Sequence, residues 1–245
     1  MSKFRFGKHP PVKDYRTLLL RNYASTLPAP ADKYNVLDDV YKNLGTNDPA
    51  VLFPMDGNDQ YGDCTIAAAG HAITVYNGLT KKKDIPAKTG LLKTYFQLTG
   101  GPDTGLDELK VLNYWQSTGI GTEKILAFVS IDPKNHMHIK QAIQFFGGVY
   151  LGFQVQQNAD QLFDERKPWT PAPLTNDGHA VYAVAYDADQ VTVLTWGNTQ
   201  LATWSWWDEC VDEAYAILPP EAKNAGYAQG FDFAKLQADL EAVAK

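Results

Sequence analysis

The sequence predicts an α+β fold in which a helical part precedes an antiparallel sheet. Three observations carry this. Helical periodicity concentrates in residues 51–124, and strand-like apolar runs bounded by turn residues concentrate in 125–218. The composition, 44% hydrophobic and 20% charged over 245 residues, supplies ample core for one globular unit or two closely packed subdomains. Residues 1–50 form an N-terminal arm outside this pattern, and 219–245 read as a C-terminal helix.

In chain order, Pro10-Pro11 gives way to the apolar segment Tyr15–Tyr23, and Pro28-Ala29-Pro30 breaks the chain before a short helical pattern at Tyr34, Leu37, Val40, Tyr41 and Leu44. The arm is long enough to pack along the body as a structural element. From Thr65 to about Asn77 apolar or small residues recur on one helical face. Leu91–Leu98 and the segment carrying Leu109, Leu112 and Trp115 complete the helical part. The sheet is expected from strands near 125–131, 148–156, 179–187, 190–196 and 213–218, and the stretch from Asp132 to Phe153 reads as a helix followed by Gly147-Gly148 and a strand. Asp160–Asp177, rich in proline around Trp169, reads as a long loop without structure of its own, and such loops are often functional. Phe231, Leu236, Leu240 and Val243 give the last helix its apolar face.

The chemistry centres on Asn58-Asp59-Gln60-Tyr61-Gly62-Asp63-Cys64-Thr65. Cys64 follows a glycine turn and opens a small-residue helix. A helix N-terminus favours a thiolate over a thiol, and its unpaired N–H groups can donate to a developing oxyanion. A buried structural cysteine is the plainer alternative for this segment alone. Two later segments bear on the choice. Asn176-Asp177-Gly178-His179 places a histidine at the start of an apolar strand, and the next strand, Val191–Thr195, runs into Trp196-Gly197-Asn198.

With these pieces in this order the chain resembles the papain-like cysteine peptidases over roughly residues 51–218. The resemblance implies a helical subdomain packed on an antiparallel sheet or half-barrel, with the active-site cleft between them. Cys64 would be the nucleophile, His179 the general base, and Trp196 the cover over the histidine. The stretch Tyr61-Gly62-Asp63-Cys64-Thr65 lacks the upstream cysteine and the following aromatic of the plant and lysosomal enzymes, and its Asp-Cys pair is closer to the bacteriocin-processing branch. The resemblance puts a side-chain oxyanion donor six residues before the nucleophile, where Asn58 stands; Gln60 is the other carboxamide within reach. The position of the family's third catalytic residue holds Leu194, so Asn198 and Thr195 are the substitutes. Gly62, Asp63, Trp169, Gly178 and Trp196 are expected to border bound substrate. In such peptidases an N-terminal prosegment often crosses the cleft, which gives the arm a second reading as an inhibitor.

Other features read more simply. His71 lies on the inner face of the nucleophile helix as a core histidine, Cys210 and the Trp204, Trp206, Trp207 cluster as packing beside a strand, and Lys81-Lys82-Lys83 as a solvated loop. His136 and His138 lack the partners of a zinc signature, and no Walker or dinucleotide motif is present, so no cofactor and no metal are implied. A net charge of −6 and a pI near 5.3 disfavour nucleic acid and anionic membranes as partners. Two cysteines, no apolar leader and no run of transmembrane length give a cytoplasmic expectation. The expected function is a cysteine peptidase or amidohydrolase acting on peptide or isopeptide bonds of a peptide or protein substrate. An acyl transferase of the transpeptidase or transglutaminase type, and an inactive papain-like binding module, are the alternatives. Nothing in the sequence bears on oligomeric state.

Overall fold

The computed structural model describes residues 3–223 and 228–243. The elements are β1 (Tyr34–Asn35), α1 (Leu37–Leu44), α2 (Pro49–Leu52), α3 (Cys64–Leu79), α4 (Lys88–Thr99), α5 (Glu108–Ser117), β2 (Ala127–Ser130), α6 (His136–Phe146), β3 (Val149–Gln156), α7 (Ala159–Asp164), β4 (Leu174–Tyr186), β5 (Gln190–Thr195), β6 (Asn198–Thr203), α8 (Trp204–Cys210), β7 (Val211–Leu218) and α9 (Phe233–Val243). The α+β expectation holds, with a helical part packed on an antiparallel sheet.

Helix α3 is the axis of the molecule. Every residue from Cys64 to Gly78 is buried, as befits a helix that is small or apolar on nearly all sides. Its two glycines admit neighbours at close range. A methyl group on Gly70 would stand 2.7 Å from Leu91 of α4, and one on Gly78 would stand 2.8 Å from Val40 of α1. On its remaining side α3 lies against β4, and the Tyr150 hydroxyl of β3 donates to the Thr65 carbonyl at 2.8 Å.

The sheet runs β2-β7-β3-β4-β5-β6, with β1 added to the far end of β4 and every pair antiparallel. Its register sets Phe153 opposite His179 and places Gly152 between Ala180 of β4 and Glu213 of β7. This register sets His179 on β4, an interior strand of the sheet that packs against α3.

Three expectations change. The segment 160–177 is not structureless, since α7 occupies its start and β4 begins at Leu174, ahead of His179. Strand β6 and helix α8 are additions to the expected elements: the tryptophan cluster lies on α8, with Trp206 and Trp207 fully buried and Trp204 tilted against His136 at 4.4 Å between ring centres. The N-terminal 50 residues do more than pack alongside. They contribute β1 to the sheet and α1 to the face of α3. Helix α9 closes the bottom through buried Leu236 and an Asp239 carboxylate that accepts from the Tyr23 hydroxyl at 2.8 Å.

Candidate active site

Cys64 is the first residue of α3, and His179 lies within β4. Both line one small cavity with Asn58, Thr195 and Trp196. His179 Nε2 is 2.9 Å from the Thr195 hydroxyl, while its Nδ1 has no hydrogen-bond partner. That division suits a base. If Nε2 carries the proton and gives it to Thr195, Nδ1 keeps a free lone pair to take a proton from the thiol. Threonine can accept from a protonated Nε2 or donate to a bare one, so it enforces the tautomer less strictly than an acceptor-only partner. Thr195→Val is therefore expected to lower kcat on the order of tenfold and to shift the acid limb of its pH profile, with little effect on KM.

Trp196 and Gly197 form the two-residue turn between β5 and β6, with φ of +49° and +74°. Both central residues of a primed hairpin turn require positive φ, which explains the Trp-Gly pair in backbone terms. The turn tips the indole over His179 at 4.9 Å between ring centres, and the indole N–H donates to Asn58 Oδ1 at 3.1 Å. That bond fixes the carboxamide with its nitrogen turned outward. Asn58 Nδ2 then donates 2.9 Å to the carbonyl oxygen of Arg5.

Arg5 belongs to a segment that fills the cleft. Residues 4–9 run extended between the helical part and the sheet. The Arg5 amide donates to Asn58 O at 2.9 Å, the Lys8 amide to Gly178 O at 3.1 Å, the His9 amide to Leu106 O at 3.0 Å, and the Leu106 amide to Gly7 O at 2.8 Å. Phe4 stacks on Trp196 at 3.9 Å with the rings within 4° of parallel, and Phe6 meets His179 edge-on at 5.7 Å. Lys3 pairs with Asp164 of α7 at the outer end. Residues 4–9 thus cross the cleft, the course named in the second reading of the arm, while β1 and α1 serve the structural one. The alternation of Phe4, Phe6 and Lys8 with Arg5 and Gly7 is the sequence sign of such an extended segment. Gly7 is the tightest point, because a Cβ there would lie 1.9 Å from the Gly62 carbonyl oxygen. Overpacking of this kind typically costs about 1–3 kcal/mol. Gly7→Ala is accordingly expected to open the cleft and speed alkylation of Cys64 by iodoacetamide about tenfold to a hundredfold.

The covered site holds a neutral pair. Burial pushes the Cys64 thiol up to about 12, although the backbone amides of Ala180 and Gly7 favour the thiolate. Burial likewise pushes His179 down to about 3, with His71 a smaller cause. The expectation of a pre-formed thiolate at the helix start does not hold in this closed state, because lost hydration outweighs the helix terminus. His71 itself is a core histidine, held neutral by burial, with Nε2 2.9 Å from the Pro54 carbonyl oxygen.

The remaining expected residues divide. Gly62 and Gly178 touch the backbone of the arm. Asp63 is fully buried and turned toward Asn58 Nδ2 at 3.5 Å, so it supports the carboxamide and does not border substrate. Gln60 is exposed, with its amide on Asp59, which leaves Asn58 as the carboxamide at the cavity. Asn198 lies beyond the Trp196-Gly197 turn, and its side-chain oxygen accepts from the Thr199 amide at 2.9 Å; the partner of the imidazole is Thr195. Trp169 is fully buried behind Trp196 at 5.6 Å and donates to the Ala159 carbonyl, so it backs the Trp196 indole without lining the cavity. Cys210 is buried at the end of α8, where burial pushes it up to about 12. Among the described residues no group of three or more His, Cys, Asp or Glu side chains is placed to hold a metal ion.

No family model and no curated protein matches the sequence. Solved structures do match the fold. Xylellain, a cysteine protease from Xylella fastidiosa, superposes with a TM-score of 0.66 at 17% identity, covering 89% of this chain and 97% of that one. The cysteine protease and lectin-like domains of Cwp84, a surface-layer-associated protein of Clostridium difficile, give 0.60 at 15% identity over 94% of this chain and 60% of that one. Procathepsin L2 from the larval midgut of Tenebrio molitor gives 0.60 at 12% identity over 88% and 78%. A helical part and an antiparallel sheet enclosing Cys64 and His179, set beside these structures, identify the fold of this chain as that of the papain-like cysteine proteases.

Proposed function

We propose that this protein is a cysteine peptidase or amidohydrolase, acting on peptide or isopeptide bonds and held closed by its own N-terminal segment. The observation that carries the reading is the seating of residues 4–9. An extended polypeptide lies across a Cys/His pair, bonded through its backbone to the cleft walls, as a substrate chain would need to be. Once the segment withdraws, His179 takes the Cys64 proton on Nδ1. The thiolate attacks the acyl carbon, and the oxyanion is held by the first-turn N–H of α3 with Asn58 Nδ2. The imidazolium then protonates the leaving amine, and water releases the acyl group.

The seating of residues 4–9 through backbone hydrogen bonds also serves a second reading, in which the domain binds a peptide and does no chemistry. The full-length Gly7→Ala chain, incubated with a denatured protein and followed by peptide mass spectrometry, separates the readings. New C-termini support hydrolysis, and products joined to an added amine support an acyl transferase. Absence of both, with Cys64 rapidly alkylated in the same sample, would leave the binding module.

A further inference from the structure

The cavity at Cys64 extends beyond the groups that the proposed chemistry uses. Its lining continues past Ala67 and Ala68 to His71, about two turns into α3 on the face that carries Cys64. Alanine at both intervening positions keeps that face low. The neutral His71 ring gives its Nε2 proton to the Pro54 carbonyl at 2.9 Å, and its Nδ1, like that of His179, has no hydrogen-bond partner. A carboxyl group backs the ring. Asp56 Oδ2 is 3.6 Å from His71 Nε2, and Asp56 is buried with Oδ1 unpartnered.

The turn does not account for this carboxyl. Asp56 has φ of +54° ahead of Gly57 at +114°, a backbone that asparagine adopts as readily, and asparagine would bring no charge into the interior. Burial pushes Asp56 up to about 7 against the charge of Lys88 on α4, and Asp63 at the start of α3 is the other acid that faces it. Asp56 is thus protonated in acid and ionised in mild base. His179 has no anionic partner of its own. Thr195 is neutral, and the titratable group that acts on the ring is His71. An ionised Asp56 favours positive charge on the imidazoles that it reaches.

We propose that His71 and Asp56 are positioning residues for His179, the carboxylate supplying through the His71 ring the negative charge that stabilises the thiolate and imidazolium pair. The inference rests on the Cys/His reading and not on which bond is cleaved. The proton that leaves Cys64 goes to His179 Nδ1, and Asp56 has only to be ionised. In the full chain opened by Gly7→Ala, alkylation of Cys64 by iodoacetamide is expected to rise a second time as the pH passes through about 7, by about threefold to tenfold. Asp56→Asn, which suits the same turn, should erase this step and leave the limb at lower pH, which belongs to Cys64 and His179. His71→Gln, which keeps a donor for the Pro54 carbonyl, should do the same. A merely structural role would move the melting transition and not the pH at which labelling rises. A step that persists in Asp56→Asn, or a parent profile without one, would overturn the proposal. Labelling indifferent to His179→Ala would remove the Cys/His pair and this inference with it. A step present in a chain that cleaves no peptide would sink the peptidase reading alone and support the positioning role. Phe4→Ala, which takes the ring off Trp196, is the second opened background should Gly7→Ala fail to fold.

Discussion

In a chain opened by Gly7→Ala, replacing His179 by alanine is expected to lower amide turnover by about ten-thousandfold or more, and Cys64→Ala to abolish it. The size follows from the role of each group. In the proposed mechanism thiol and imidazole act as a unit, so losing either would remove nucleophilic catalysis altogether and leave what binding and the oxyanion donors supply. No second histidine can substitute. His71 lines the same cavity, but its Nε2 is committed to the Pro54 carbonyl and burial pushes its ring down to about 4. Cys64→Ala removes one sulfur atom from a packed site and should leave the melting transition nearly unchanged. His179→Ala opens a larger hole beneath Trp196 and Phe6, so its kinetics need a matching circular dichroism spectrum. Turnover within tenfold of the parent in either variant would remove the pair from the chemistry.

The second large effect is expected at Asn58. Asn58→Ala should reduce kcat by about a hundredfold to a thousandfold with a small change in KM, since an oxyanion donor acts on charge that develops after binding. The carboxamide is aimed from both sides, with the Trp196 indole holding its oxygen and the Arg5 carbonyl already resting on its nitrogen. That second bond adds a signature. Asn58→Ala should also loosen the N-terminal segment, raising Cys64 alkylation while turnover falls. Gln60→Ala, at an exposed side chain, should change neither quantity.

How much of this was legible in the sequence depends on whether a feature is local. Cys64 opening a helix and His179 in an apolar strand follow from periodicity and turn residues within a few positions of each. The order of helices and strands is readable for the same reason. What was misplaced depends on side-chain direction or distant contact. Trp169 lies in a stretch that leads to His179, yet it faces inward because its indole finds the Ala159 carbonyl. Asn198 is the chemically better partner for a histidine, but the hairpin turn at Trp196-Gly197 carries it past the ring and leaves Thr195 on the correct face. Glu108, Asp212 and Glu213 come from α5 and β7, and only the sheet register and Gly152 bring them around Lys8. The state of the thiol was misjudged for a related reason. A helix start favours a thiolate in a site that water can reach, and Phe4, Phe6 and Gly7 exclude that water.

The most direct test of a working Cys/His pair sealed by the chain's own segment is the rate of Cys64 alkylation by iodoacetamide from pH 4 to 9. It should be followed by peptide mass in the wild type, Gly7→Ala, and Gly7→Ala with His179→Ala. Slow labelling throughout in the wild type is expected, because burial holds the thiol up to about 12 and His179 stays neutral across the range. Gly7→Ala should label rapidly well below the free-thiol value of about 8.5, and His179→Ala should return that profile to an ordinary thiol. A wild type that labels as fast as Gly7→Ala would contradict the seal, and a Gly7→Ala profile indifferent to His179 would contradict the pair.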